Sequence, residues 1–225
     1  MKAYYPFGPP IGHAELPKEM IDDLNKGCDK IAKDKELSKS EDYSHALVGE
    51  VEQELLIPKD IINKWGKWFA MQVKAYIAQY LAQIYIPEQN FFKTDMSYEQ
   101  LVKNVEAKTA VSVQSAWYVR SFAGDYNPIH THTECELTCV GFLKTPDWSK
   151  EAKKENKLFI QNGNLQLISN GGGDFGRYEN DSTRLLPKVG NWYLIPANIR
   201  HQVYPFNCEG ERRSFSINMN TNAFK

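Results

Sequence analysis

Beyond Thr109 the sequence loses helical periodicity, and that loss sets the architecture the chain can adopt. Its apolar residues there fall in short β-branched and aromatic runs, divided by Gly, Pro and Asn clusters. The runs predict strands at Val111–Phe122, Leu137–Leu143, Lys157–Gln161, Leu165–Ser169, Trp192–Ile195, His201–Pro205 and Arg213–Met219. Seven or eight short strands in about 110 residues suit a sandwich or jelly roll.

The first half reads differently. Residues 1–12 carry three prolines and two glycines among aromatics, which predicts an extended arm rather than a helix. From Leu16 to Ile31, the positions of Met20, Ile21, Leu24, Cys28 and Ile31 give an amphipathic helix, with Pro17 suited to its first turn. Lys33–Tyr43, charged and Ser-rich, reads as a solvated loop. After Pro58, the stripe Ile61, Trp65, Phe69, Val73, Ile77, Leu81 and Ile84, flanked by Ile62, Trp68, Tyr76 and Tyr80, predicts a helix of about seven turns. A shorter helix is expected over Ser97–Val105.

The expected class is α+β: one domain over 1–225, in which 1–108 is an arm and helical support and 109–225 a β core, with the long helix covering one outer sheet face. A chain of 225 residues with 42% hydrophobic content can bury such a core.

Charge narrows the partners. Lys+Arg of 27 against Asp+Glu of 28 supplies no positive field for phosphate backbones or anionic lipid, so neither nucleic acid nor membrane is expected as a partner. The apolar stretch around Ile61–Ile86 is interrupted by Lys64, Lys67, Gln72, Lys74, Gln79 and Gln83, unlike a bilayer span. The opening residues lack the apolar region of a signal peptide. Cys28, Cys135, Cys139 and Cys208 match neither a zinc ribbon nor a disulfide framework and read as reduced thiols, which places the expected location in the cytoplasm, a host's if the gene is a phage's.

Three of the five histidines occupy two short segments of the β half: His130 and His132 in Asn127–Glu136, and His201 at the end of Pro196–His201. In an extended segment, residues two apart project from one face about 7 Å apart at Cβ, so two imidazoles can share an ion. A third imidazole from a later strand closes a facial site with open positions. Glu134 and Glu136 continue the face of His130 and His132.

Both histidine segments together resemble the metal motifs of the cupin and double-stranded β-helix superfamily. Eleven residues past His201, the run Arg212-Arg213-Ser214-Phe215-Ser216-Ile217-Asn218 looks like the Arg-x-Ser pair with which Fe(II)/2-oxoglutarate oxygenases hold the distal carboxylate of their cosubstrate. Trp117 and the segment Gly124–Leu143, including Leu137-Thr138-Cys139-Val140-Gly141-Phe142-Leu143, are similar to the same family, notably its bacterial and marine phage members. The resemblance covers roughly residues 110–220 and implies a double-stranded β-helix that uses Fe(II), 2-oxoglutarate and O2, releases succinate and CO2, and hydroxylates a peptidyl side chain such as proline, or a small molecule. It implies metal binding by His130, His132 and His201, and cosubstrate binding by Arg212 and Ser214. The usual triad of the family contains one carboxylate, whereas this chain aligns a histidine, His132, at that position, so the resemblance leaves two registers open: His130, His132 and His201, to which Glu136 could add a fourth ligand as in cupins, or His132, Glu134 and His201, with His130 behind them.

Tyr118 and Arg120 alternate on one face of a strand expected to enter the barrel, which makes Tyr118 a further candidate cosubstrate contact. The glycine-rich run Asn170–Gly176 lacks the Lys-Ser/Thr of a phosphate-binding loop and reads as a loop between strands, in position to act as a lid. Two other classes stay open: a cupin-type dioxygenase or isomerase without cosubstrate, and a non-enzymatic β-sandwich binding module. The oligomeric state is not legible.

Overall fold

The computed structural model describes residues 10–84, 97–151, 162–168 and 182–223. Its described elements are strand β1 (Gly12–Glu15), helices α1 (Lys18–Lys33) and α2 (Lys35–Ser40), strand β2 (Gln53–Leu56), helices α3 (Lys59–Ile84) and α4 (Tyr98–Lys108), then strands β3 (Val111–Ser121), β4 (Asn127–His130), β5 (Leu137–Lys144), β6 (Leu165–Ile168), β7 (Ser182–Leu185), β8 (Asn191–Pro196), β9 (Arg200–Val203) and β10 (Arg212–Thr221). The four described α-helices all precede β3, but β1 and β2 of the first half are strands as well.

The strands form two antiparallel sheets, one in the order β1-β8-β5-β10-β3-β2 and the other β4-β9-β6-β7. The strands of the larger sheet send alternate residues to opposite faces, and both faces are covered. On the outer face Tyr118, Phe215, Ile217, Met219, Trp192 and Leu194 join Met20, Leu24 and Cys28 of α1 and Phe69, Val73 and Ile77 of α3 in one apolar cluster. Phe69 packs on Phe215 with centroids 6.1 Å apart, and Trp68 meets Trp192 edge-on at 5.3 Å. Phe69 and Phe215, both buried, contribute about 1.5–3 kcal/mol of transfer free energy each. The inner face looks across a cavity toward the smaller sheet, where Leu165, Leu167 and Val203 pack with Ile195, Val140 and Ile199.

Several local expectations change. Lys35–Ser40 is helical rather than a loop, because Asp34 caps it by accepting from the Glu36 and Leu37 amides at 3.0 and 3.1 Å. Gly12–Glu15, where the expected arm ends, pairs with β8 as an edge strand. Strands β2, β4 and β7 are four residues each, too short to show alternation. The helix expected from Ser97 begins there with a reciprocal Ser97–Gln100 capping box. The strand expected at Lys157–Gln161 and the proposed lid at Gly171–Gly176 lie outside the described residues.

Among the described residues, no helix is long and apolar enough to cross a membrane.

Candidate metal and cosubstrate site

The three histidines meet because β4 pairs with β9. His130, the last residue of β4, sits in register with His201 on β9, and their ring centroids are 4.2 Å apart. The chain then turns so that the His132 amide donates to Ala197 O at 2.9 Å, which returns the His132 ring to the same point. It stacks on His201 at 5.1 Å and lies against Trp117 at 5.9 Å. One ring nitrogen from each of the three falls within 4.8 Å of the others.

Hydrogen bonding selects the free nitrogens. Carbonyls only accept, so His130 Nδ1 donates to Pro128 O at 2.7 Å and His201 Nδ1 to Ile199 O at 2.9 Å, leaving both Nε2 lone pairs directed into the cluster. The His132 and His201 Nε2 atoms are 3.2 Å apart. Two nitrogens each about 2.1 Å from one ion, at right angles, stand about 3 Å apart, so this spacing fits a shared ion. Burial, with repulsion from His201 and His130, lowers the His132 pKa to about 3; burial, with repulsion from His130, lowers that of His201 to about 4; burial also lowers that of His130. Three neutral imidazoles with inward lone pairs form a donor set suited to a divalent cation.

The cavity running from the histidines along the inner face of the large sheet is lined by Trp117 and Val119 of β3, Thr138 and Val140 of β5, and Arg212, Ser214 and Ser216 of β10. Arg212 is 1% exposed; its guanidinium rests over the Phe142 ring at 5.2 Å, and its Nε has no hydrogen-bond partner among the described residues. Burial lowers its pKa to about 10, which leaves it charged at neutral pH. Thr138 Oγ1 is likewise buried and unpartnered on this face, directly across from Asn218. Asn218 stands at the other end of β10 beside His132 and favours the protonated ring, although its Oδ1 lacks a hydrogen bond of standard geometry.

Three expectations are corrected. Tyr118 does not enter the cavity: on β3 it is Trp117 and Val119 that face inward, while Tyr118 lies in the outer apolar cluster against the helices. Arg120 shares that outward parity and pairs with Glu211 at 2.7 Å and with Gln53. Glu136 does not approach the histidines, because its Oε2 accepts from the Thr221 amide and hydroxyl at 2.7 and 2.9 Å. Glu134 has a left-handed backbone (φ 61°) and is outside the cluster of three nitrogens. Trp117 and Thr138, which carry part of the family resemblance but are not among the expected site residues, line this cavity too; both sit on predicted strands, and only the pairing register shows which face is inside.

Residues 115–218 match the sequence family described as "Putative 2OG-Fe(II) oxygenase". These residues belong to the 2OG-Fe(II) oxygenases. The match runs from the second half of β3 through Asn218 on β10, so it takes in all three histidines and Arg212. Solved structures show the same fold: a Pseudomonas putida prolyl-4-hydroxylase superposes with a TM-score of 0.52 at 11% identity, covering 93% of this chain and 91% of that one. A Trichoplax adhaerens prolyl hydroxylase solved with a hypoxia inducible factor peptide gives 0.52 at 10% identity, covering 93% and 83%. No curated protein sequence matches the chain significantly. The oxygenase core is therefore a double-stranded β-helix, dependent on Fe(II) and 2-oxoglutarate, with helices α1 and α3 packed on its larger sheet.

Proposed function

We propose that His130, His132 and His201 hold the iron of this oxygenase, that Arg212 and Ser214 hold the distal carboxylate of 2-oxoglutarate, and that the whole of 1–225 works as one hydroxylase unit. The observation that carries this is Arg212. A guanidinium buried without an ion-pair partner is costly, and this one lies in the cavity that begins at the three imidazoles. A carboxylate entering that cavity meets a planar fork able to donate two hydrogen bonds to it.

Iron supplies the oxygen chemistry when bound, consuming 2-oxoglutarate and O2 and releasing succinate and CO2. The chain's own residues do the positioning. The carbonyls of Pro128 and Ile199 fix the tautomers of His130 and His201. Arg212 sets the depth to which a dicarboxylate slides, and the Phe142 ring supports the guanidinium from below. Val140, Ile195, Leu165 and Val203 line the span between the polar ends of the cavity and exclude water from it.

A C–H bond of a peptidyl side chain, such as proline, or of a small molecule is the target of the hydroxylation, and a cytoplasmic location agrees with four free thiols. The cupin-type reading without 2-oxoglutarate leaves Arg212 without a counter-charge and is disfavoured for that reason. The test is succinate formation from 2-oxoglutarate by iron-supplemented protein in air. The reading expects formation well above the His201→Ala background; equal rates in the two proteins would overturn it.

A further inference from the structure

A second cavity opens from the other side of the same histidines. It has a volume of about 360 Å³ and shares Trp117, Asn127, His130 and His132 with the cosubstrate cavity. His130 and His132 therefore stand in the wall between a buried chamber, where Arg212 waits for an anion, and a roomier one. Of the two, the roomier chamber is free for a third reactant.

The chemistry of its lining is one-sided. Tyr43 and Trp117 form an aromatic wall with ring centroids 5.8 Å apart, continued by His132 stacked on Trp117. Gln114, Ser115 and Asn218 offer hydrogen bonds. Glu134 is the one carboxylate, and its described lining contains no lysine or arginine. Glu134 is also the one non-glycine residue among those described with positive φ. That conformation is clamped: Asn220 Nδ2 donates to Glu134 O at 3.1 Å while Asn220 Oδ1 accepts from the Glu136 amide at 2.9 Å. A left-handed glutamate held in place at the mouth of a reactive cavity is the kind of outlier that accompanies function.

Resting on the proposed function above, we infer that this second cavity receives the primary substrate and selects one carrying a positively charged nitrogen. The nitrogen lies against the Tyr43 and Trp117 faces and the Glu134 carboxylate, and an aliphatic C–H reaches the histidine end. Aromatic faces attract a desolvated cation through the ring quadrupole, and a carboxylate adds charge and hydrogen bonds. An anionic substrate meets repulsion from Glu134 with no compensating cation.

The test uses full-length protein loaded anaerobically with Fe(II) and saturated with 2-oxoglutarate, titrated calorimetrically with L-lysine, L-arginine and choline, and with hexanoate, which has no positive nitrogen, as the anionic comparison. At least one cationic probe is expected to bind about tenfold or more tighter than hexanoate. Glu134→Gln should weaken that probe about fivefold or more while iron and 2-oxoglutarate affinities stay within about twofold, and Tyr43→Leu should weaken it similarly. No binding by any cationic probe up to about 10 mM, hexanoate binding as tightly as they do, or unchanged affinity in Glu134→Gln each overturns the inference. Iron loss in Glu134→Gln also overturns it, because the glutamate is then a metal ligand. Failure of the unmodified protein to bind iron or 2-oxoglutarate overturns the reading of the site as well, and so is told apart from failure of this inference alone.

Discussion

Arg212 and Arg213 are neighbours on β10 that point to opposite faces of one sheet, and only Arg213 is matched by acids. Arg213 donates to Glu211 Oε1 at 2.8 Å and to Asp29 at 2.7 Å, and also reaches Asn25; Arg212 makes no ion pair among the described residues. Burial alone would raise the Glu211 pKa, but hydrogen bonds from Arg213, Arg120 and Lys144 prevail and hold it near 2.

The two arginines should consequently separate stability from function. Arg213→Ala removes one of three cations on Glu211, which keeps Arg120 and Lys144, and should cost about 1–3 kcal/mol. Arg212→Met replaces an unmatched buried charge with an apolar chain and should leave the protein as stable or more so. Urea denaturation of protein without metal or cosubstrate measures both. A loss in Arg212→Met as large as that in Arg213→Ala would show that Arg212 has a structural partner.

Metal analysis distinguishes the ligand registers. His201→Ala and His130→Ala should each lose most bound iron, since each removes one of three nitrogens. Glu134→Ala should keep it. Iron retained in His130→Ala and lost in Glu134→Ala would select His132, Glu134 and His201 instead.

Glu54 sets a pH dependence apart from the site. It is 1% exposed on β2, its Oε2 has no hydrogen-bond partner among the described residues, and burial, with a smaller contribution from Asp42, raises its pKa to about 7. Between its ordinary value and about 7 the folded state keeps a proton that the unfolded chain releases, so this group makes stability fall as pH rises through that window. Glu54→Gln should match the unmodified protein near pH 4.5 and exceed it by about 3 kcal/mol at pH 8. A stability difference independent of pH would contradict the assignment.

Gly141 tests the packing of the helix-facing side of the sheet. A Cβ there would collide with the Phe215 ring, which lies opposite it in the β5–β10 register. Gly141→Ala should cost about 1–3 kcal/mol, read as a lowered Tm. An unchanged Tm would show that the Phe215 ring has room to turn aside.

The long helix, the shift to strands and the three histidines were legible because each is a local pattern: a 3.6-residue stripe over Ile61–Ile77, β-branched runs after Thr109, and His-x-His at strand spacing. Tyr118 was not. The run Trp117-Tyr118-Val119 is apolar on both parities because β3 is covered on both faces, so nothing in it says which side chains look inward. On β10 the parity was legible, since Ser214, Ser216 and Asn218 alternate with Phe215, Ile217 and Met219 and carry Arg212 to the polar side. The capped helix at Lys35–Ser40 was obscured by its lack of any buried residue, and its formation follows from Asp34 rather than from an apolar face. Glu136 could not be removed from the candidate ligands until its bond to Thr221, 85 residues away, was known.

The central claim is that the Arg212 cavity is a carboxylate seat beside an iron site, and the most direct measurement is calorimetric titration of 2-oxoglutarate into anaerobic, Fe(II)-loaded protein. The account predicts one binding event per chain, weakened about tenfold or more in Arg212→Ala and only partly restored in Arg212→Lys, because an ammonium cannot reproduce the two-pronged contact. Absence of binding in the unmodified protein, or equal affinity in Arg212→Ala, would contradict it.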